Sequence, residues 1–294
     1  MRRVALVWPL ASSALGLSAF AQTLHYEGAV SLASGTYFFT ERTTSATLSS
    51  GFAVGVGMLT ARLTVPAYAQ TSPYVSGTAA GLLPTGGRDA GTVADSSAAR
   101  RGMGDRGGSS AQFSVAAAPQ SDPVAVTDSS AGVFRAALGD PLLSVSVSPV
   151  GTRTVGVGLT ATVKVPLTDT ATFGTGAWDV GGAVSISIAA DTRTLVALDL
   201  SAWHLGDLPE LDLRDPVGAQ VAILRSLSRK WAVSLSASGT RSVVPGFADA
   251  YQVAMTLARA HAGGVLAASA GVGLSETTPD VVFGLSWRVS LLPH

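Results

Sequence analysis

The sequence predicts an all-β fold, a transmembrane antiparallel up-and-down β-barrel of about twelve strands, and three observations support this. Large apolar residues alternate with small or polar ones over many short segments, which is the period of a β-strand with one apolar face. Short glycine-rich turns alternate with longer connections, as in bacterial outer-membrane barrels. The chain also begins with a segment typical of an exported protein.

Residues 1–21 have the pattern of a cleavable secretory signal peptide. Arg2 and Arg3 supply positive charge, residues 4–20 are mostly apolar, and Ala19-Phe20-Ala21 is a small-residue cleavage site before Gln22. The alternative is an uncleaved N-terminal anchor helix. We therefore expect a signal peptide over 1–21 and one barrel domain over 22–294, located in the cell outer membrane.

Composition narrows the function classes. Charged residues make up 13% of the 294 residues, against about 25% in ordinary soluble domains, and the mean hydropathy is +0.39. No run in the mature chain approaches about 18 consecutive apolar residues, so no transmembrane helix is predicted there. The 19 basic and 19 acidic side chains leave no excess of positive charge, which argues against a nucleic-acid partner.

The last predicted strand has the clearest alternation. Val281, Phe283, Leu285, Trp287 and Val289 are large and apolar, whereas most residues between them are small or polar. The same pattern predicts twelve strands, which cover residues 26–37, 44–54, 59–65, 143–148, 155–165, 178–188, 196–202, 217–223, 231–238, 251–258, 266–273 and 280–292.

The connections between these strands favour a membrane barrel over a secreted β-sandwich. Short turns occur at 55–57, 150–152, 190–193, 228–230 and 261–264. With both termini in the periplasm, every short turn falls on the periplasmic side, as in outer-membrane barrels. Aromatic residues near the predicted strand ends are consistent with an aromatic girdle, namely Trp178, Trp203, Trp231, Tyr251 and Trp287.

One long connection, residues 71–138, interrupts the strand pattern. It is rich in small and polar residues, carries five Arg and five Asp, and is far longer than an ordinary loop. A short strand over 112–118 is an alternative for part of it. Folded inward, this loop would constrict the lumen and act as a gate, with candidate residues Arg100, Arg101, Asp105 and Arg106.

The charged and amide side chains on the inward faces are the candidate pore-lining residues. A charged group in a membrane-spanning segment faces water, which in a barrel is the water of the lumen. The alternative is that these groups pair and plug a narrow barrel. The candidates are Glu27, Arg62, Lys164, Asp179, Asp199, Gln220, Gln252 and Arg288.

The histidines and carboxylates do not predict an enzyme. His204 with Asp207 and Ser201 is the one cluster that suggests a nucleophile beside a base, and an ordinary polar loop explains it as well. No spacing of His, Cys and carboxylate residues suggests a metal site, and no cofactor is predicted.

Three short motifs resemble a known family. Gly139-Asp140 opens one strand, Val163-Lys164-Val165-Pro166 ends the next, and Gly174-Thr175-Gly176-Ala177-Trp178-Asp179 follows. These motifs resemble the outer-membrane channels linked to the meta-cleavage pathway of phenol degradation. The resemblance covers residues 139–292 and, loosely, the first three strands. It implies a barrel that lets hydrophobic or aromatic compounds cross the outer membrane.

The sequence therefore supports two hypotheses. In the first, the chain is an outer-membrane channel for passive passage of small solutes, including hydrophobic or aromatic ones, with membrane lipid and the solute as its partners. In the second, it is a structural or adhesin-like barrel that displays residues 71–138. The oligomeric state stays open.

Overall fold

The computed structural model describes residues 22–39, 41–72, 75–78, 80–84, 135–168, 175–206 and 213–292. The predicted signal peptide, the gate residues and the alternative strand over 112–118 lie outside the described residues. No helix among the residues described is long and apolar enough to cross a membrane.

Fifteen strands form in the described part of the chain, and twelve of them close into one antiparallel barrel. The barrel order is β1, β2, β3, then β7 to β15, and β15 pairs again with β1. The strands are β1 Gln22–Gly35, β2 Thr43–Val56, β3 Leu59–Gln70, β4 Ser76–Thr78, β5 Gly81–Leu83, β6 Arg135–Leu138, β7 Leu142–Gly151, β8 Val155–Lys164, β9 Asp179–Ala189, β10 Thr194–His204, β11 Val217–Ser226, β12 Trp231–Thr240, β13 Ala250–His261, β14 Gly264–Gly273 and β15 Val281–Ser290.

The two ends of the barrel differ in the length of their connections. The short-turn rim carries both ends of the described barrel chain and the turns at 57–58, 152–154, 190–193, 227–230 and 262–263. At the long-loop rim lie the strand ends that are joined in sequence by residues 36–42, 71–141, 165–178, 205–216, 241–249 and 274–280. Gly57 has a φ of 61° in a two-residue hairpin turn, a conformation that glycine adopts without steric cost. The twelve strands and the parity of the turns are confirmed.

The barrel is apolar on the outside rather than in its interior. Phe52 is 50% exposed, Met255 55%, Leu235 56% and Phe283 56%, all on outward faces. The inward positions between them are mainly Ser, Thr, Ala and Gly. A soluble monomer rarely exposes so continuous an apolar surface, whereas lipid solvates it at no cost.

Three local features differ from the sequence prediction. The first strand ends at Gly35, and Tyr37 lies in a turn with φ 51° instead of extending the strand. Within the predicted loop 71–138, β4 pairs with β5, and β6 adds to the end of β3. These strands have only three or four residues each, which is too short for an alternating pattern to be recognised in the sequence.

A β-bulge separates β6 from β7. Ala67 pairs with Leu138 and Thr64 with Leu142, so one extra residue is inserted opposite β3. At Gly139, any Cβ would overlap the ring of Tyr68, which makes glycine necessary there. The bulge leaves the Asp140 carboxylate buried, 3.5 Å from Lys164 Nζ.

Candidate functional site: the barrel lumen

A row of polar side chains crosses the inner wall from the middle of β10 to the long-loop end of β13. The hydrogen-bonded register pairs Asp199 with Ser185 and Gln220, Gln220 with Ser238, and Ser238 with Gln252. Ser185 Oγ donates a hydrogen bond of 2.5 Å to Asp199 Oδ1. Three of the predicted lumen residues, Asp199, Gln220 and Gln252, therefore share one row across β9 to β13. Such a row offers hydrogen bonds to water or to a polar solute.

Nearer the short-turn rim, one glutamate holds two arginines. Arg62 Nε lies 2.7 Å from Glu27 Oε2, and Arg288 Nη2 lies 2.6 Å from Glu27 Oε1. Glu27 and Arg288 are direct partners in the β1–β15 pairing, whereas Arg62 comes from β3, two strands from β1. We call these three residues the lumen triad. The triad carries a net charge of one positive unit.

A cavity of about 210 Å³ borders the lumen triad. Its walls include Ser49, Thr64, Ala267 and Ser286, which are small residues on inward faces. Small side chains leave space between the walls of the barrel, and the paired arginines give that space its charge. Water or a small anion fits this surface better than a cation does, because the net charge is positive.

A second charged cluster lies at the ends of the strands near the long-loop rim. Lys164 Nζ donates to Thr175 Oγ1 at 2.6 Å and lies 3.1 Å from Asp179 Oδ2 and 3.5 Å from Asp140 Oδ2. These four side chains are completely buried, and we call them the buried lysine cluster. Two carboxylates around one ammonium group satisfy a charge that would be very costly if left alone.

The buried lysine cluster fastens neighbouring strand ends to their connections. Asp140 Oδ1 accepts hydrogen bonds from the amides of Leu167 and Thr168, and Asp179 Oδ1 accepts one from the amide of Gly206. The cluster thus joins the β6–β7 bulge, the connection after β8 and the end of β10. Lys164 and Asp179 were predicted as pore-lining residues; the structure places them against each other in this closed cluster.

An apolar cluster covers the long-loop end of the barrel. The ring of Phe38 stacks on that of Phe247 with 4.0 Å between their centroids, and its centroid lies 4.5 Å from that of Phe39. Burial raises the pKa of the neighbouring Tyr37 to about 12, so this phenol stays protonated. We call the whole set the mouth cluster; its buried members are Tyr37, Phe38, Phe39, Val75, Leu205, Leu213, Val243, Val244 and Phe247.

Connections from distant parts of the barrel meet in the mouth cluster. Phe38 belongs to the β1–β2 connection, Val75 to the connection after β3, Leu205 to the β10–β11 connection and Val244 to the β12–β13 connection. Trp203, which the sequence suggested for an outer girdle, points inward and packs against this cluster. Alternation along β10 explains the difference, because Trp203 lies on the same face as Asp199.

A cavity of about 150 Å³ lies between the mouth cluster and the lumen wall. Phe38, Val243 and Val244 are on its apolar side, whereas Arg241 and two residues of the polar row, Ser238 and Gln252, are on its polar side. The cavity therefore has one apolar and one polar side.

The residues that suggested an enzyme do not form a catalytic pair. His204 Nδ1 lies 3.1 Å from the Asp215 carboxylate, and this hydrogen bond holds the pKa of Asp215 below its usual value. Ser201 and His204 are three positions apart in β10, so they occupy opposite faces of the strand. No base is therefore brought to Ser201 by His204; Asp207 lies outside the described residues.

Sequence reasoning missed Asp140, Thr175 and most of the mouth cluster. Asp140 and Thr175 had no visible partner, because Lys164 reaches them only after the chain folds. The run Tyr37-Phe38-Phe39 was the available signal for the mouth cluster, since three consecutive aromatic residues do not fit an alternating strand.

Comparison with solved structures shows the fold. An outer membrane channel from Pseudomonas putida F1 matches with a TM-score of 0.60 at 12% identity, covering 94% of this chain and 97% of that one. The CymD monoaromatic hydrocarbon channel matches with a TM-score of 0.49 at 10% identity, covering 92% and 89%. The toluene transporter TodX of P. putida matches with a TM-score of 0.43 at 9% identity, covering 93% and 91%.

No family model matches the sequence, and no curated protein matches it. The fold class predicted from the sequence is confirmed, and the chain is a closed twelve-stranded barrel of the outer-membrane type.

Proposed function

We propose that this protein is an outer-membrane channel for the passive passage of small hydrophobic or aromatic solutes. The observation that carries the proposal is the cavity between the mouth cluster and the polar row. It combines the aromatic ring of Phe38 with the amide of Gln252 at the long-loop end of a lumen lined by small residues. The motifs that resemble the phenol meta-pathway channels support an aromatic solute.

The proposed path runs from the long-loop rim to the short-turn rim. A solute would cross the mouth cluster, pass the row of Asp199, Gln220 and Gln252 and leave beside the lumen triad. In this proposal these residues line the pore, and Lys164 and Asp179 support its wall. Export through a leader over residues 1–21 and gating by the 71–138 loop, with Arg100, Arg101, Asp105 and Arg106 facing inward, belong to the same proposal.

Conductance in a planar lipid bilayer tests the channel proposal. We expect the purified, folded barrel to give discrete current steps, and removal of residues 85–134 to raise the conductance or change its ion selectivity. A folded barrel that gives neither current nor solute flux would refute the proposal. Loss of surface attachment on removal of the loop, with flux unchanged, would favour the adhesin-like barrel instead.

A further inference from the structure

Positive charge is concentrated on the outer surface at the short-turn rim. Six basic side chains and one acidic one lie in the segments around the turns after β7, β9 and β11 and at the end of β13. All six basic side chains are exposed, and five of them lie on neighbouring strands and turns from β9 to β13. We call these five the basic rim patch; its members are Arg193, Arg225, Arg229, Lys230 and Arg259.

The patch continues the lipid-facing surface of the barrel. Arg225 lies two residues beyond Ile223, which is 50% exposed, and Arg259 lies two residues beyond Leu257, which is 42% exposed. Residues two apart in a strand share a face. These arginines therefore point outward, at the height where the apolar surface ends. That height is the headgroup region of a bilayer, where a basic side chain costs little.

The charges of the patch are available to a ligand. No ion pair to any of the five is found within the described ranges. Asp191, the nearby carboxylate, accepts hydrogen bonds from the amides of Arg193 and Thr194 and from the Thr194 hydroxyl, so it serves the turn. Coulombic attraction from Arg225 helps to lower the pKa of Asp191, after those hydrogen bonds.

Two contacts hold the arginines along the rim. The guanidinium of Arg259 lies 5.4 Å from the centroid of the Trp231 ring, within the range of a cation–π interaction. Arg225 Nη1 donates a hydrogen bond of 3.2 Å to Thr194 Oγ1. Both groups are thereby kept near the surface, with donors left over for a phosphate, which guanidinium groups bind in a bidentate manner.

From these observations we propose that the basic rim patch binds the phosphodiester headgroup of an anionic phospholipid, such as phosphatidylglycerol, in the leaflet beside the short-turn rim. The inference rests on the membrane location in the proposed function. A lipid fits better than a dissolved anion, because the arginines adjoin acyl-chain-facing residues on the outside of the barrel and not the lumen. Bound lipid would anchor the barrel at a fixed depth and set its orientation across the membrane.

Electron spin resonance of spin-labelled lipids tests the inference. The full barrel is reconstituted in phosphatidylcholine vesicles with spin-labelled phosphatidylglycerol or phosphatidylcholine, and the immobilised fraction of each lipid is compared. We expect phosphatidylglycerol to be preferred, and R225Q/R259Q to lower that preference by up to about thirtyfold, which is the combined effect of two near-surface charges. The matched control R42Q/R214Q removes two arginines at the long-loop rim and should keep the preference.

Several outcomes would overturn the inference. They are equal immobilisation of both lipids by the wild type, an unchanged preference in R225Q/R259Q, and displacement of the labelled lipid by millimolar inorganic phosphate. If R225Q/R259Q fails to fold, the wild type in high salt decides, since screening must reduce the preference. Conductance of the same vesicles is recorded separately, so that a failed channel and a failed lipid site are distinguishable.

Discussion

Replacement of Glu27 by Gln tests whether ions pass the lumen triad. The substitution keeps the shape of the side chain and removes the negative charge of the carboxylate. That carboxylate lies 2.7 Å from Arg62 Nε and 2.6 Å from Arg288 Nη2. At about 7 Å across water, one unit charge changes the energy of a passing ion by about 0.6 kcal/mol, with opposite sign for anion and cation. The anion-to-cation permeability ratio should therefore rise about sevenfold in dilute salt and about threefold at 0.1 M.

The same substitution should also destabilise the barrel. Breaking a fully buried ion pair costs about 3–5 kcal/mol, and water in the lumen reduces this to about 1–3 kcal/mol for the partly exposed triad. Reversal potentials under a KCl gradient measure the selectivity. Glu41→Gln removes a carboxylate at the long-loop rim and should leave the potential close to that of the wild type. A folded Glu27→Gln barrel with an unchanged reversal potential would refute the reasoning.

Three further substitutions test the other parts of the account. Lys164→Met leaves two buried carboxylates without their cation, so the free energy of unfolding in urea should fall by about 3–5 kcal/mol. Gly181→Ala places a Cβ inside the Trp203 ring and should reduce the folded fraction on a heat-modifiable gel, whereas Gly151→Ala has open space and should fold normally. Phe247→Ala removes the ring that stacks on Phe38 within the mouth cluster, and it should raise the single-channel conductance.

Matched controls make these three results specific. Arg153→Met removes an exposed cation at the short-turn rim, and it should leave the free energy of unfolding within about 0.5 kcal/mol of the wild type. Phe283→Ala removes a ring from the outer surface and should not alter conductance. Equal losses of stability in Arg153→Met and Lys164→Met, or equal conductance changes in Phe247→Ala and Phe283→Ala, would contradict the roles assigned to the two clusters.

The barrel could be predicted from the sequence because its determinants are local. Alternation sets which residues face lipid, and turn length sets which end of a strand lies at which rim. The residues from Val281 to Val289 show this alternation within a single strand. The β6 strand could not be predicted, because Arg135–Leu138 has only four residues and depends on its pairing with β3.

The sequence predicted which side chains face inward, but it did not predict the contacts between them. Alternation identified Glu27, Arg62 and Arg288 as inward side chains, but the meeting of all three depends on closure of the last strand onto the first. Lys164 and Asp179 were also identified, yet their burial depends on a bulge at Asp140 that no local pattern reveals. Loop contacts such as Phe38 on Phe247 join residues more than 200 positions apart.

Uptake of a labelled monoaromatic compound tests the central claim most directly. A porin-deficient outer membrane with the wild-type barrel is compared with the same membrane without it, using labelled phenol and a labelled sugar. We expect the barrel to accelerate the entrance of phenol several-fold and that of the sugar much less. Equal phenol uptake with and without the folded barrel would contradict the account.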